Sequence, residues 1–407
     1  VIAVDMGYGH QRTAYPLRHL AFEERIINAN DYQGIPEKDR KTWEKARKGY
    51  ELISRFSQIF FIGKLVFAAF DRLQRILSFY PKRNLSRPNL QLKQNYSVIK
   101  TGWGKHLIKE LSLRRAEGQK PLPLIATFFT PAHMAEFFKY PGEIYCVICD
   151  TDISRTWAPL RPKSSKIKYF APTERAAERL KLYGVKPENI FLTGYPLPQE
   201  NIGGIKMEIL KEDLKNRLVN LDAEKRYSKN YQELIELKLG KLPKKSNHPL
   251  TVMFAVGGAG AQKEIGVRAV GRLKQKIKSG EIKIILAAGI RRDVKEYFVK
   301  KTKGLDVEVI FDENIEDYFQ KFNQVLRQTD VLWTKPSELS FYSALGLPII
   351  IAPPVGSQEK FNKRWLLNSG FGISQKNVDY VGQWLFDWLN QGYLAEASMQ
   401  GFIEGEK

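Results

Sequence analysis

Apolar runs that read as strands alternate with helical periods along much of the chain, and each run ends in a glycine-, aspartate- or proline-bearing turn. The first half opens with a strand from Val1 to Val4, a turn at Gly7 and Gly9, and a helix from Thr13 to Leu20. The pattern then predicts a helix near Trp103 to Arg115, a strand from Leu122 to Phe128 and a helix from Pro131 to Phe138. Strands follow at Ile144–Cys149, Lys168–Phe170 and Ile190–Thr193, with a helix over Glu174–Tyr183. The second half repeats the scheme: strand Leu250–Val256, the turn GGAGAQ, a helix through Arg268–Ile277, strands Ile282–Ala287 and Glu308–Ile310, and a helix over Ile315–Arg327. The densest unit is DVLWTKPSELSFYSALGLPIIIAPPVGSQEKFN, from Asp330 to Asn362. Its pattern predicts a strand from Val331 to Trp333, a helix capped by Ser337 and closed by Gly346, a second strand from Pro348 to Ala352, and a polar loop with Gln358, Glu359 and Asn362.

Strand, helix N-terminus, strand, loop is the βαβ unit of an open α/β sheet, and ligands of such sheets gather at the carboxyl ends of the strands. Two α/β domains, each opening on a glycine turn, predict twin Rossmann-like units facing across a cleft. The N-terminal domain is expected over residues 1–200 and the C-terminal domain over 250–407, with a Lys/Glu-rich helical linker at 201–249. A helical insert at about 35–90 interrupts the first domain, with basic residues around the apolar centre IFFIGKLVFAAF. Its 12 residues are too few to span a bilayer. Two readings stay open for it. One is a buried core helix. The other is a helix pair at a membrane interface, with Phe60, Phe61, Phe67 and Phe70 in the acyl boundary and Lys64, Arg72, Arg75, Lys82 and Arg83 on anionic headgroups. Trp384 and Trp388, one turn apart on the last helix (Val378–Leu389), read as core residues rather than a sugar platform.

Length and charge narrow the function. A chain of 407 residues suits two domains of about 150 to 200 residues each. The formal charge of +21 favours an anionic neighbour, whether membrane, nucleotide-sugar phosphates or nucleic acid. No nucleic-acid-binding module is recognisable, so no nucleic-acid partner is expected. No signal peptide opens the chain and no run of about 18 apolar residues occurs, so a transmembrane helix is not expected. The chain opens inside a strand, so residues are expected to precede Val1. Cys146 and Cys149 read as two buried strand cysteines in a reducing compartment, and no Cys/His cluster suits a metal.

The candidate chemistry lies at strand ends. His10 stands where the first strand meets its helix, in a GxGH turn that also reads as a tight βα turn with a surface histidine. Asp150 and Asp152 follow the Ile144–Cys149 strand, where paired acids suit acid/base work or orientation of a base, or are simply solvated loop acids. The glycines after Val256 form a phosphate-type turn feeding a helix.

Four segments together resemble the GT-B glycosyltransferases of the monogalactosyldiacylglycerol synthase and lipid II-forming N-acetylglucosaminyltransferase type. They are DMGYGHQRTAYPL, CVICDTDISRTW, YFAPTERAAERLKLYGVKPENIFLTGYPL and TKPSELSFYSALGLPIIIAPPVGSQEKFN, and the resemblance covers most of 1–20 and 120–375. It implies metal-independent transfer of a sugar from a nucleotide sugar, usually a UDP-sugar, to a membrane lipid, with no cofactor. His10 would be the general base and Asp150 its orienting acid, with Gly7, Gly9, Asp152 and Trp157 around the acceptor. Gly257, Gly258, Gly260 and the helix start at Ser337 would hold the diphosphate, and Gly289 to Arg291 the base. Gln358, Glu359 and Asn362 would hold sugar hydroxyls. The implied location is cytoplasmic, peripheral on the inner face of the cell membrane.

Two positions depart from the family pattern. Phe341 stands where a ribose-binding Glu is usual, with Glu338 one turn earlier as the substitute, and Arg155 stands where lipid-glycosylating relatives often carry His. The alternatives are a non-catalytic GT-B-fold scaffold and a nucleotide-sugar epimerase.

Overall fold

Twelve strands, all pairing in parallel, form two separate six-stranded sheets in the computed structural model, which describes residues 1–56, 76–114, 120–258 and 260–406. The expected Phe60, Phe61, Lys64, Phe67, Phe70, Arg72 and Arg75 contacts fall outside the described residues. The chain divides into one unit of Val1–Pro196 with Val355–Asn362, and a second of Leu197–Pro354 with Lys363–Lys407.

The first sheet contains β1 (Ile2–Ala3), β2 (Ile27–Asn28), β3 (Leu124–Ala126), β4 (Ile144–Val147), β5 (Lys168–Ala171) and β6 (Ile190–Leu192), in the order β2-β1-β3-β4-β5-β6. The chain moves outward from β1 to β2 and then returns to the other side of β1, so the topological switch lies between β1 and β3. The second sheet contains β7 (Thr251–Ala255), β8 (Lys283–Gly289), β9 (Val307–Phe311), β10 (Val331–Thr334), β11 (Ile349–Ile351) and β12 (Gly372–Ser374). Its order is β12-β11-β10-β7-β8-β9, the doubly wound Rossmann arrangement, with the switch between β7 and β10. Every residue of β7 and β10 is buried. Both faces of a parallel sheet are covered, which is why these strands read as unbroken apolar runs.

The segment 201–249 is not a linker. Leu210, Leu214, Leu218 and Leu221 form one buried stripe on the helix Glu208–Leu221, which belongs to the second unit. Arg217 on that helix is buried and donates to the carbonyls of Thr329 (2.9 Å) and Leu345 (2.7 Å). The Lys/Glu residues that suggest a linker occupy the solvated side. Trp384 and Trp388 are core residues: Trp384 packs against Trp333 with ring centroids 5.5 Å apart, and Trp388 lies 4.5 Å from Trp384.

The opening of the chain is tighter than its pattern predicts. The first helix begins at Tyr8 and runs to Ala14, followed by a 3-10 segment over Tyr15–Leu20. Gly9 and His10 are therefore helical, and only Gly7 has a positive φ, +116°. That conformation is open essentially to glycine alone.

Candidate functional site

Each sheet presents a group of polar residues at its switch point, the place where adjacent βα loops diverge and leave a crevice. In the first unit His10, from the loop-helix junction after β1, meets Thr127 at the end of β3. The His10 Nδ1–H donates to the Thr127 carbonyl at 2.9 Å, and Thr127 Oγ1 donates back to the His10 carbonyl at 2.7 Å. A carbonyl only accepts, so Nδ1 carries the proton and Nε2 is left with its lone pair. The ring packs on Phe128 at 4.4 Å between centroids, with Trp157 at 6.3 Å. Burial lowers the His10 pKa to about 4, with the Thr127 carbonyl acting in the opposite direction, so the imidazole is neutral at physiological pH.

Several acceptor-side expectations change. The group orienting His10 is the Thr127 carbonyl, with Cys149 Sγ 3.3 Å from the same Nδ1. Asp150 instead accepts from Asn362 Nδ2 at 3.3 Å. Asp152 is not a solvated loop acid: both its oxygens take 2.8 Å bonds from Arg179, and the pair is sealed from water. Trp157 is buried under the His10 ring and supports it from within the core. Arg155 is also structural; it donates to the carbonyls of Ser86, Ala158 and Pro159. Both cysteines are buried and neither is in a disulfide, with Cys149 just past the end of β4.

In the second unit the loop after β7 meets the loop after β10. Gly257 has no side chain at the place where Lys335 lies; a Cβ there would fall 2.4 Å from Lys335 Cε and 3.3 Å from Nζ. Gly258 follows in the same turn. Gly260 has φ +68°, and a Cβ on it would fall 2.8 Å from Val294 and 3.9 Å from Arg291 Nε. Arg291 is engaged by Asp293 through Nε at 2.8 Å, and Gly289 ends β8 with φ +72°. Ser337 precedes a 3-10 helix, Glu338–Leu345, and its side chain makes no cap hydrogen bond, so the expected capped α-helix is absent at this position. Glu338 is buried in the first turn. Phe341 lies in the core, 5.3 Å from the Trp365 ring, rather than at a ligand surface.

Gln358, Glu359 and Asn362 lie in a helix, Ser357–Asn368, rather than in a loop, and they group with the first unit. Glu359 Oε2 accepts from the Val355 amide at 2.6 Å. Asn362 Oδ1 accepts from the Thr151 amide (3.1 Å) and hydroxyl (2.8 Å). The structure thus joins Asn362 to Asp150 and joins Gly257, Gly260 and Arg291 to a second set. Lys335 is the residue that motif reading misses. Its signal is its position, the first cation past the carboxyl end of β10.

Two Rossmann-like units in one chain, with polar clusters at both switch points, define a GT-B fold. The chain resembles the GT-B glycosyltransferases of the monogalactosyldiacylglycerol synthase and lipid II-forming type. It is 21% identical over 211 residues to the processive diacylglycerol beta-glucosyltransferase of Bacillus subtilis, a match covering 51% of this chain and 45% of that protein. The Bacillus licheniformis protein of the same name is 21% identical over 210 residues, again 51% and 45%. The chain thus spans about half the length of the curated relatives it matches. Residues 241–324 match a family model described as a domain of unknown function, DUF6938. Among solved structures, the Acinetobacter baumannii MurG shares 12% identity at a TM-score of 0.42, covering 77% of this chain and 73% of that one. The S. aureus MnaA–UDP complex shares 11% at 0.45, covering 96% and 89%.

Proposed function

We propose that this protein transfers a sugar from a nucleotide sugar, a UDP-sugar, to the hydroxyl of a membrane lipid. The observation that carries the reading is the fixed His10 tautomer: Thr127 holds the Nδ1 proton, and Nε2 is a bare, neutral base at a switch point. In the proposed step Nε2 takes the acceptor hydroxyl proton as the oxygen bonds to the anomeric carbon, while the bond from that carbon to the diphosphate breaks. A pKa near 4 keeps the imidazole unprotonated and ready; binding of an acceptor that develops negative charge raises its basicity in the transition state.

The leaving diphosphate takes its electron pair to the second switch point. Lys335 and the amides of Gly257 and Gly258 stabilise it there without a metal, and Glu338 meets the ribose in place of Phe341. Gln358, Glu359 and Asn362 are assigned to the sugar hydroxyls and Gly289 and Arg291 to the base; Glu359, Asn362 and Arg291 are each held in place by a protein partner. The name of the Bacillus subtilis relative supports a diacylglycerol-type acceptor. An anionic membrane surface is met by the strap after the insert, where Leu77 and Tyr80 are exposed (41% and 68%) beside Lys82 and Arg83. Arg179 fixes this strap by donating to the Leu77 carbonyl at 3.0 Å, and Arg175 stacks 3.9 Å above Phe79. No helix among the described residues is long and apolar enough to cross a membrane.

The test is incubation with a panel of radiolabelled nucleotide sugars and lipid vesicles containing diacylglycerol, followed by lipid chromatography. The reading expects a labelled lipid with at least one UDP-sugar. Isomerised or free sugar without labelled lipid points to an epimerase, and absence of nucleotide binding points to a scaffold; either result rejects it.

A further inference from the structure

We infer that the protein carries a second anion-binding site, in the first unit, at the amino ends of its strands and on the sheet edge opposite His10. A concavity of about 1230 Å³ opens there, lined by the residues that lead into β4, β5 and β6. Its walls carry six cations and three carboxylates. All three carboxylates are engaged. Glu136 accepts from the Ser165 hydroxyl (2.6 Å) and the Lys166 amide (2.9 Å), Glu143 is bound by Lys168 at 2.8 Å, and Glu188 lies 3.7 Å from Lys186.

Lys100, Lys139, Arg161 and Lys166 line the same space and have no acidic partner among the described residues. Lys100 ends the helix Leu90–Lys100 and Lys139 follows the helix Phe129–Phe137, so helix C-termini offset part of their charge. Arg161 and Lys166 stand on the connection into β5, at no α-helix C-terminus, and keep theirs. Phe137 and Tyr140 add an apolar wall. Ammonium and guanidinium groups around a wide opening suit a multiply charged phosphate, while the aromatic side suits an apolar or ring portion attached to it. The ligand class is therefore a phosphate-bearing organic anion, soluble or as a lipid headgroup. This site is independent of the transfer reaction proposed above.

The probe is inorganic triphosphate, titrated by calorimetry at low salt. Lys100→Gln/Lys166→Gln is expected to weaken binding at least tenfold, and Lys100→Arg/Lys166→Arg to restore it to within about twofold. Lys300→Gln/Lys301→Gln, on an exposed helix of the second unit, controls for loss of bulk charge and should leave the isotherm unchanged. A parallel flotation uses phosphatidylcholine vesicles with phosphatidylglycerol. Triphosphate binding that depends on Lys100 and Lys166 identifies a soluble phosphate ligand. Retention on vesicles that depends on the same pair, without triphosphate binding, identifies the headgroup. If the glutamine variant matches the wild type in both assays, or matches the bulk-charge control, the site does not exist.

Discussion

Gly257→Ala isolates the proposed phosphate site by a single methyl group. Gly257 has no positive φ, so alanine introduces no backbone strain at this position. Its Cβ would meet Lys335 Cε at 2.4 Å and Nζ at 3.3 Å. Ordinary contact between carbons lies at about 3.5 to 4.0 Å, so the Lys335 chain must retreat by roughly 1 to 1.5 Å. A hydrogen bond to a charged group contributes about 1.5 to 3 kcal/mol, and a shift of that size forfeits most of it. The expected loss is therefore about ten- to a hundredfold in the dissociation constant for UDP. Calorimetry with UDP and UDP-sugars measures this, alongside thermal melts in which the variant and wild type should nearly coincide. Gly260→Ala is the contrast: with φ +68° and Val294 at 2.8 Å, it should lower the melting temperature as well. Equal UDP affinity of Gly257→Ala and wild type would refute the assignment of Lys335 and this turn to the diphosphate.

Three further outcomes test the packing beneath the two sites. His133 is buried and burial lowers its pKa to about 3, with Arg155 adding to the shift and the Trp157 backbone opposing it slightly, so its folded pKa is depressed below the unfolded value. Stability is then full above pH 6.5 and is lost as pH falls towards 3, by up to about 3 to 5 kcal/mol; His133→Phe should flatten that dependence in denaturant titrations at pH 7 and pH 5. Asp152→Asn leaves the Arg179 charge buried without its carboxylate and should cost about 3 to 5 kcal/mol of unfolding free energy, read from urea midpoints. Arg217→Leu strands buried carbonyls at Thr329 and Leu345 and should cost roughly 2 to 4 kcal/mol, seen as early melting of the second unit.

The alternation of apolar runs with polar turns places five strands of each sheet, but it misses the edge strands β2 (Ile27–Asn28) and β12 (Gly372–Ser374), which are two and three residues long and half-buried, too short for an apolar run to show. β7 and β10 fall within a residue or two of where that pattern puts them. The residues 201–249 mislead because composition there reports the solvated side, while the leucine stripe that binds the helix to the second unit recurs only every third or fourth position. The site is less legible. Asp150 and Asp152 are two residues apart and chemically identical, yet one bonds Asn362 and the other is locked to Arg179, a choice made by tertiary contacts far along the chain. Likewise no local signal shows that a backbone carbonyl, rather than an acid, fixes the tautomer of His10. Phe341 illustrates the limit of counting along a motif: its position puts it in the core against Trp365, while Glu338 stands in the first turn of the same 3-10 helix.

His10 is the proposed base of a glycosyl transfer to lipid. The most direct measurement compares wild type with His10→Ala for labelled glycolipid formed from a UDP-sugar and diacylglycerol vesicles, with UDP affinity determined on both proteins. The account predicts a loss of transfer of about a hundredfold or more, the usual scale of general base catalysis, with UDP affinity unchanged. Undiminished transfer by His10→Ala would contradict it.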